Sequence, residues 1–216
     1  MYHVALVKSP SDDEIERMTD VLHEAFSYKY FISALGDPKF SRDLIKSHIG
    51  AALADDAAEI YVARSVSATR DIAGVAVWFG PGTVYLGTEA QREAGWNQLY
   101  AALDKVYQDW WDYFLPFYDD YTTRVFGRGV KLGGHHLQVI GVLPAHQRRG
   151  IAGQLFCIVE KKAKEQHVCT CLETVGTGNV PVYRSMGYDV MEPTPLRSAK
   201  DPNATAPLYG FIKHFV

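Results

Sequence analysis

One stretch narrows the choice of folds more than any other: HHLQVIGVLPAHQRRGIAGQLF, from His135 to Phe156. An apolar run stops at Pro144, crosses a basic turn containing Gly150, and enters a segment with helical spacing. A strand that feeds a glycine-bearing turn into a helix brings backbone N–H groups together at an anion site. Two familiar phosphate turns do not fit. A P-loop needs G-x-x-x-x-G-K-[ST], and QRRGIAGQL has neither the lysine nor the hydroxyl. A dinucleotide turn needs G-x-G-x-x-G opening a helix. The nearest string, Gly127 to Gly133, has the wrong spacing and no obvious helix behind it.

The remaining elements follow from periodicity and turn chemistry. Tyr2 to Val7 reads as a strand, and Ser11 with Glu14 forms a capping box for a helix carrying Ile15, Met18, Leu22, Ala25 and Phe26. A second helix is expected over Ser41 to Ala54. Strands follow at Glu59 to Arg64 and Asp71 to Phe79, joined by the polar turn SVSAT. Thr88 to Gln91 is a second capping-box candidate. Beyond it, Trp96, Leu99, Tyr100, Leu103, Val106, Tyr107, Trp110 and Phe114 recur at three- and four-residue steps, which predicts one long amphipathic helix. That aromatic stripe packs on the core, walls a pocket, or meets a second copy of the chain. LPFYDDY, with Asp119 and Asp120, is expected to be a loop. The order then becomes strand (His136 to Leu143), helix (Gln147 to about Gln166), strand (Val168 to Thr174), short helix (Pro181 to Met186), strand (Tyr188 to Met191) and a last strand from Pro207.

Composition bounds the class. At 216 residues with 47% hydrophobic and 22% charged side chains, the chain reads as one soluble domain, residues 1–216. A net charge of -3 speaks against nucleic acid as a partner, and no apolar run approaches membrane-spanning length. MYHVALVKSPSDDEIE has no signal-peptide pattern, so a cytoplasmic location is expected. On that expectation the Asn203-Ala204-Thr205 sequon is a coincidence. Cys157, Cys169 and Cys171 have no metal-ligand spacing and read as structural thiols, and no metal site is expected. His135 and His136 should face opposite sides of their strand.

The letters left in the turn, Gln147-Arg148-Arg149-Gly150-Ile151-Ala152, resemble the Q/R-x-x-G-x-G/A pattern of the GNAT superfamily of N-acetyltransferases. LETVGTGNVPVYRSMGYDV, from Leu172, resembles the C-terminal signature of that superfamily, with Asn179, Tyr183, Gly187 and Tyr188 at the matching places. From His135 to Val190 the chain is similar to the puromycin-type and other small-molecule acetyltransferases. The resemblance implies an α/β (α+β) GNAT fold. Its central mixed, mostly antiparallel sheet would have about six to seven strands, splayed at the cofactor cleft and flanked by helices. The aromatic-rich segment, roughly 83–134, would be a helical insertion.

The same resemblance implies acetyl-CoA as cofactor. Its pantetheine arm would pair with backbone groups near Ile140 and Val142, and its diphosphate would rest on the turn: Gln147, Arg148, Arg149, Gly150, Ile151, Ala152 and Gly153. Gly150 and Ala152 keep that turn clear of side chains, and the helix N-terminus and two arginines favour an anion. Tyr183 matches the family's general acid toward sulfur. Asn179 bonds the pantetheine or orders its loop. For the base, His136 stands fourteen residues before Gly150, where histone-type relatives carry a glutamate. Glu173 is the rival, and some members use no dedicated base. Trp78, Phe79, Phe114 and Tyr118 are expected in the acceptor pocket, with Asp119 or Asp120 holding a cationic amine. The acceptor is a small-molecule amine, or alternatively a protein lysine or N-terminus. The remaining alternative is a non-catalytic acyl-CoA-binding module. A monomer or a homodimer fits equally well.

Overall fold

IAGVAVWF, the strand Ile72–Phe79, is buried at every position. A strand apolar on both faces needs cover on both, so it must lie inside a sheet with helices above and below. The structure, a computed structural model, provides that arrangement and describes residues 1–66 and 71–215. The strands are β1 (Tyr2–Val7), β2 (Ala58–Ser65), β3 (Ile72–Phe79), β4 (His135–Val142), β5 (Thr170–Val175), β6 (Asp189–Val190), β7 (Thr194–Arg197) and β8 (Thr205–Lys213). They form one eight-stranded sheet in the order β1-β2-β3-β4-β5-β8-β6, with β7 also on β8. The expected six to seven strands miss β7, whose TPLR carries two turn-forming residues and pairs only because β8 is long enough to hold both it and β6. Every pairing is antiparallel except β4 with β5. The SVSAT turn lies outside the described residues from Ser67 onward.

The helices are α1 (Asp12–Ala25), α2 (Ile32–Leu35), α3 (Lys39–Leu53), α4 (Glu89–Gln91), α5 (Asn97–Ala102), α6 (Lys105–Phe126), α7 (Val130–Gly133), α8 (Ile151–Glu165) and α9 (Val180–Ser185). Ser11 and Glu14 form the reciprocal capping box expected for α1. Thr88 caps Gln91, but the Gln91 side chain turns to the Gly87 N–H instead, so this box is not reciprocal. The sheet separates two cores. On one face α1 and α3 cover Val75, Val77, Phe79 and Val139. On the other, α8 and α9 cover Ala76, Trp78, Leu137 and Leu172.

The aromatic stripe does not run on one helix. A π turn at Arg92–Trp96 leads into α5, which is followed by Leu103 as its C-cap, and Asp104 restarts the chain as the N-cap of α6. The Gln108 side chain donates to the carbonyls of Tyr100 and Leu103, satisfying groups that the break exposes. LPFYDDY, expected as a loop, is the middle of α6. Pro116 removes one donor there, but it lies on the exposed side while Phe114 and Tyr121 bury the other. Polar tips of the aromatics tie α6 down. The Trp110 indole donates to Arg197 O at 2.8 Å, and that of Trp111 to Ala34 O at 3.1 Å. Tyr121 Oη accepts from Gly210 N at 2.7 Å.

The helix after Pro144 also starts later than expected. Pro144–His146 is a 3-10 turn and α8 begins at Ile151, because Arg148 and Gly150 both take positive φ, 58° and 77°. The start of α8 lies close on the sheet because β3 has no side chain there. A Cβ on Gly74 would come 2.9 Å from Ile151 Cγ2 and 3.3 Å from Val142 Cγ2. Gly74→Ala should therefore push α8 off the sheet and cost about 1–3 kcal/mol of stability, read as a lower urea midpoint. A midpoint equal to that of the unsubstituted protein contradicts this packing.

Candidate active site

β4 and β5 pair through two residue pairs only, His135↔Thr170 and His136↔Cys171. Beyond these the strands part, and the edge of β4 is left open. Leu143 N donates to Ala73 O on the β3 side at 2.9 Å. By strand alternation, Ile140 and Val142 turn their own N–H and C=O groups toward the open edge. The Gln147 side chain already reaches one of them, donating to Val142 O at 3.1 Å. A bulge sits just upstream: Val77 pairs with Val139 and Trp78 with Leu137, so Gln138 is the extra residue on β4.

The turn after β4 is exposed from Gln147 to Gly150. Among the described residues, the N–H groups of Arg148 to Gly153 meet no backbone acceptor, as expected for the first turn of a helix without a side-chain cap. A Cβ on Gly150 or Gly153 would touch nothing within 4 Å, so the approach to these amides is clear. Arg149 Nη1 donates to Tyr2 Oη at 3.3 Å, and Tyr2 Oη lies 2.8 Å from His146 Nδ1, which anchors the turn to β1. Ile151 is different: its side chain is buried in the core, and only its backbone belongs to the turn. Free amides, a helix N-terminus and two arginines suit a diphosphate.

Where the strands part, a cavity of about 1060 Å³ opens. Ile140, Asn179 and Tyr183 line it, as do Glu173 and His136, while Val142 and residues 147–153 lie outside it. Phe114, Tyr118 and Asp119 line it from α6. Trp78, Phe79 and Asp120 do not line it. Alternation along β3 turns Trp78 under α8, edge-on to Phe156 at 5.3 Å, and Phe79 under α1 and α3. Asn179 Nδ2 donates to Thr174 Oγ1 at 3.4 Å, so it orders the loop after β5.

The two rival base residues form one unit. His136 Nε2 lies 2.8 Å from Glu173 Oε2, and the Tyr118 hydroxyl donates to the same oxygen while lying 3.1 Å from His136 Nε2. The His136 and Glu173 side chains are only 3% and 5% exposed. The ammonium of Lys131 sits 3.8 Å from the centre of the Tyr118 ring. Burial pushes His136 below its ordinary value, so it is neutral and donates Nε2–H to Glu173. Burial pushes the Glu173 carboxyl up. The hydrogen bonds from neutral His136 and from Tyr118 and the charge of Lys131 outweigh this and keep it ionised. Burial pushes Tyr183 up to about 12, so its hydroxyl keeps its proton at neutral pH. His135, on the opposite face, bonds Gln166 at 2.7 Å. Cys169 and Cys171 are buried free thiols, whereas Cys157 is exposed. No helix among the described residues is long and apolar enough to cross a membrane.

Sequence reasoning missed Tyr30, Phe31, His48, Gln138 and Lys131, all in the cavity wall. FSYKYF, aromatic-rich just after α1, was a usable signal; nothing marked Lys131. His48 lies between Tyr30 Oη at 3.3 Å and Gln138 Nε2 at 3.4 Å. Burial pushes its imidazole down to about 3 from 6.5. The unfolded chain therefore takes up a proton near pH 6.5 that the folded chain refuses until about pH 3. Stability falls as pH drops through that window, by up to about 1.4 kcal/mol per pH unit for this proton. His48→Gln should flatten the fall of the urea midpoint below pH 6.5, and an unchanged slope contradicts the assignment.

A family model described as an acetyltransferase (GNAT) domain matches residues 91–198, half of the chain. No curated protein matches it in sequence. Solved structures share the fold. A Drosophila melanogaster polyamine N-acetyltransferase, which forms N-acetylagmatine, is 14% identical at a TM-score of 0.58, covering 99% of this chain and 100% of its own. A Corynebacterium glutamicum structure of the histone acetyltransferase HPA2 and related acetyltransferase type is 18% identical at 0.55, covering 97% and 94%. The Escherichia coli ribosomal-protein-S18-alanine N-acetyltransferase is 9% identical at 0.55, covering 100% and 94%.

Proposed function

The chain belongs to the GNAT acetyltransferase family, and from that membership we propose that it transfers the acetyl group of acetyl-CoA to the amine of a small molecule. The observation that carries this reading is the break between β4 and β5, which opens on a cavity that Tyr183, Glu173 and His136 all line. The residues present suit acetyl-CoA. The amides of Arg148 to Gly153, with Arg148 and Arg149, would hold its diphosphate, and the open edge at Ile140 and Val142 would pair with its pantetheine amides. When bound, it supplies a thioester carbonyl as the acyl donor.

The chain's own groups divide the remaining work. A free N–H on the β4 edge polarises the carbonyl oxygen as negative charge builds on it. The Tyr183 hydroxyl gives its proton to the departing thiolate. The ionised Glu173 takes the proton that the amine loses, through the Tyr118 hydroxyl. Neutral His136 fixes the carboxylate by its hydrogen bond, and Lys131 favours the ionised form. Phe114 and Tyr118 wall the acceptor side. The insertion spans roughly residues 83–134 of a single domain, 1–216, and its main helix closes the cavity over β4, which favours a small acceptor over an extended protein segment.

Thiol release from acetyl-CoA in the presence of an amine panel tests the activity. Tyr183→Phe should lower kcat by about 10²–10⁴-fold, the contribution typical of a positioned acid, with acetyl-CoA affinity retained. Glu173→Gln should lower kcat comparably and remove the acidic limb of the pH profile. If Tyr183→Phe and Glu173→Gln both turn over normally, the proton routes are wrong. If the unsubstituted protein binds acetyl-CoA yet acetylates nothing, the chain is a binding module instead.

A further inference from the structure

The acceptor side of the cavity has a composition that discriminates among amines. Phe31, Trp111 and Phe114 form one aromatic wall: the Phe31 ring lies 6.0 Å from Trp111, stacked, and 6.1 Å from Phe114, edge-on. Trp110 extends it, stacked on Phe114 at 4.7 Å. These rings come from two distant parts of the chain. Phe31 reaches the wall from the segment after α1, where Ser27, Tyr28 and Phe31 all take positive φ (53°, 61° and 52°). Such backbone is costly for residues with side chains and persists only where its surroundings hold it. Here the Phe31 contacts with α6 hold it.

The charges lining the same cavity are Lys29, Lys131 and Arg197 against Asp119 and Glu173. Positive charge is in excess, and neither acid is free deep in the wall. Glu173 Oε2 is committed to His136 and Tyr118, its unpartnered Oε1 is buried within the reacting cluster, and Asp119 is exposed. A second ammonium on an acceptor would lose its water beside these rings without gaining a carboxylate. A flat apolar body would instead lie against the cavity face of this wall and stack in the geometries that aromatic pairs prefer.

Resting on the acetyltransferase reading above, we propose that the acceptor is a monoamine with an aromatic or similarly flat apolar body, seated against Phe31, Trp111 and Phe114, and that polyamines and basic peptides are poor acceptors. The amine is presented to the Tyr118–Glu173–His136 cluster and the ring system is held by the wall. Transfer breaks the thioester C–S bond and forms the amide C–N bond; one proton leaves the amine and one reaches the thiolate, so no further reactant is needed.

The test is steady-state thiol release by the full chain with acetyl-CoA and 2-phenylethylamine, tryptamine, spermidine, agmatine or a short lysine-rich peptide. The two aromatic amines should exceed the polycations in kcat/KM by roughly tenfold or more. Phe114→Ala should erase most of that advantage. Because that variant removes a buried ring, Lys29→Glu, at an exposed position, gives a second reading and should shift the ratio toward spermidine. Spermidine, agmatine or the peptide matching the aromatic amines overturns the acceptor class alone. No release with any amine, from protein that binds acetyl-CoA, overturns the transferase reading and this proposal with it.

Discussion

Neighbouring strands inside a sheet satisfy each other's backbone groups along their shared length, and β4 and β5 do so for only two residue pairs. Among the described residues they are also the one parallel pair in an otherwise antiparallel sheet. Unpaired N–H and C=O groups at the centre of a protein are costly unless something else meets them. The consequence here is a cleft through the middle of the sheet. Its β4 edge carries the backbone groups of Ile140 and Val142, of which Val142 O is met by the Gln147 side chain, and its floor is set by His136 and Glu173, where the strands begin to part. The turn at Gln147 to Gly153 starts directly beyond the same strand. The position of the break therefore places the basic turn, the open edge and the His136–Glu173–Tyr118 cluster relative to one another.

The aromatic helix completes what the break begins. α6 is anchored at three points, through Trp110 to β7, Trp111 to α2 and Tyr121 to β8. Those bonds fix the register in which Phe114 and Tyr118 face the cleft. Tyr118 then joins the helix to the sheet chemistry by donating to Glu173. Lys131, one short helix further on, lies over the same tyrosine ring. A buried carboxylate is tolerated here because two hydrogen-bond donors and a nearby cation compensate its lost hydration.

What the sequence revealed was what short-range rules govern. Pro144, Gly150 and Ala152 dictate a strand, turn and helix from local backbone chemistry alone, and the Ser11–Glu14 box does the same for α1. His136 and Glu173 were legible as separate candidates, but their union needed the pairing of β4 with β5. The bulge at Gln138 was not legible. It shifts the alternation along β4, so that Leu137 and Val139 face opposite cores instead of the same one. Trp78 misled because its ring is large and sits beside the site, while strand parity turns it under α8. The break at Asp104 and the helical course through Pro116 are tertiary outcomes: packing of α6 outweighs a proline that local propensity would place in a loop.

Whether the cleft and its basic turn hold acetyl-CoA decides between a coenzyme site and a bare helix start. Calorimetric titration of the full chain with acetyl-CoA, with NADH and ATP as controls, tests it most directly. Saturable micromolar binding of acetyl-CoA is expected, with no comparable heat from either control. Absence of acetyl-CoA binding by protein whose circular dichroism shows it folded would contradict the account, leaving Gln147 to Gly153 as no more than the exposed start of a helix.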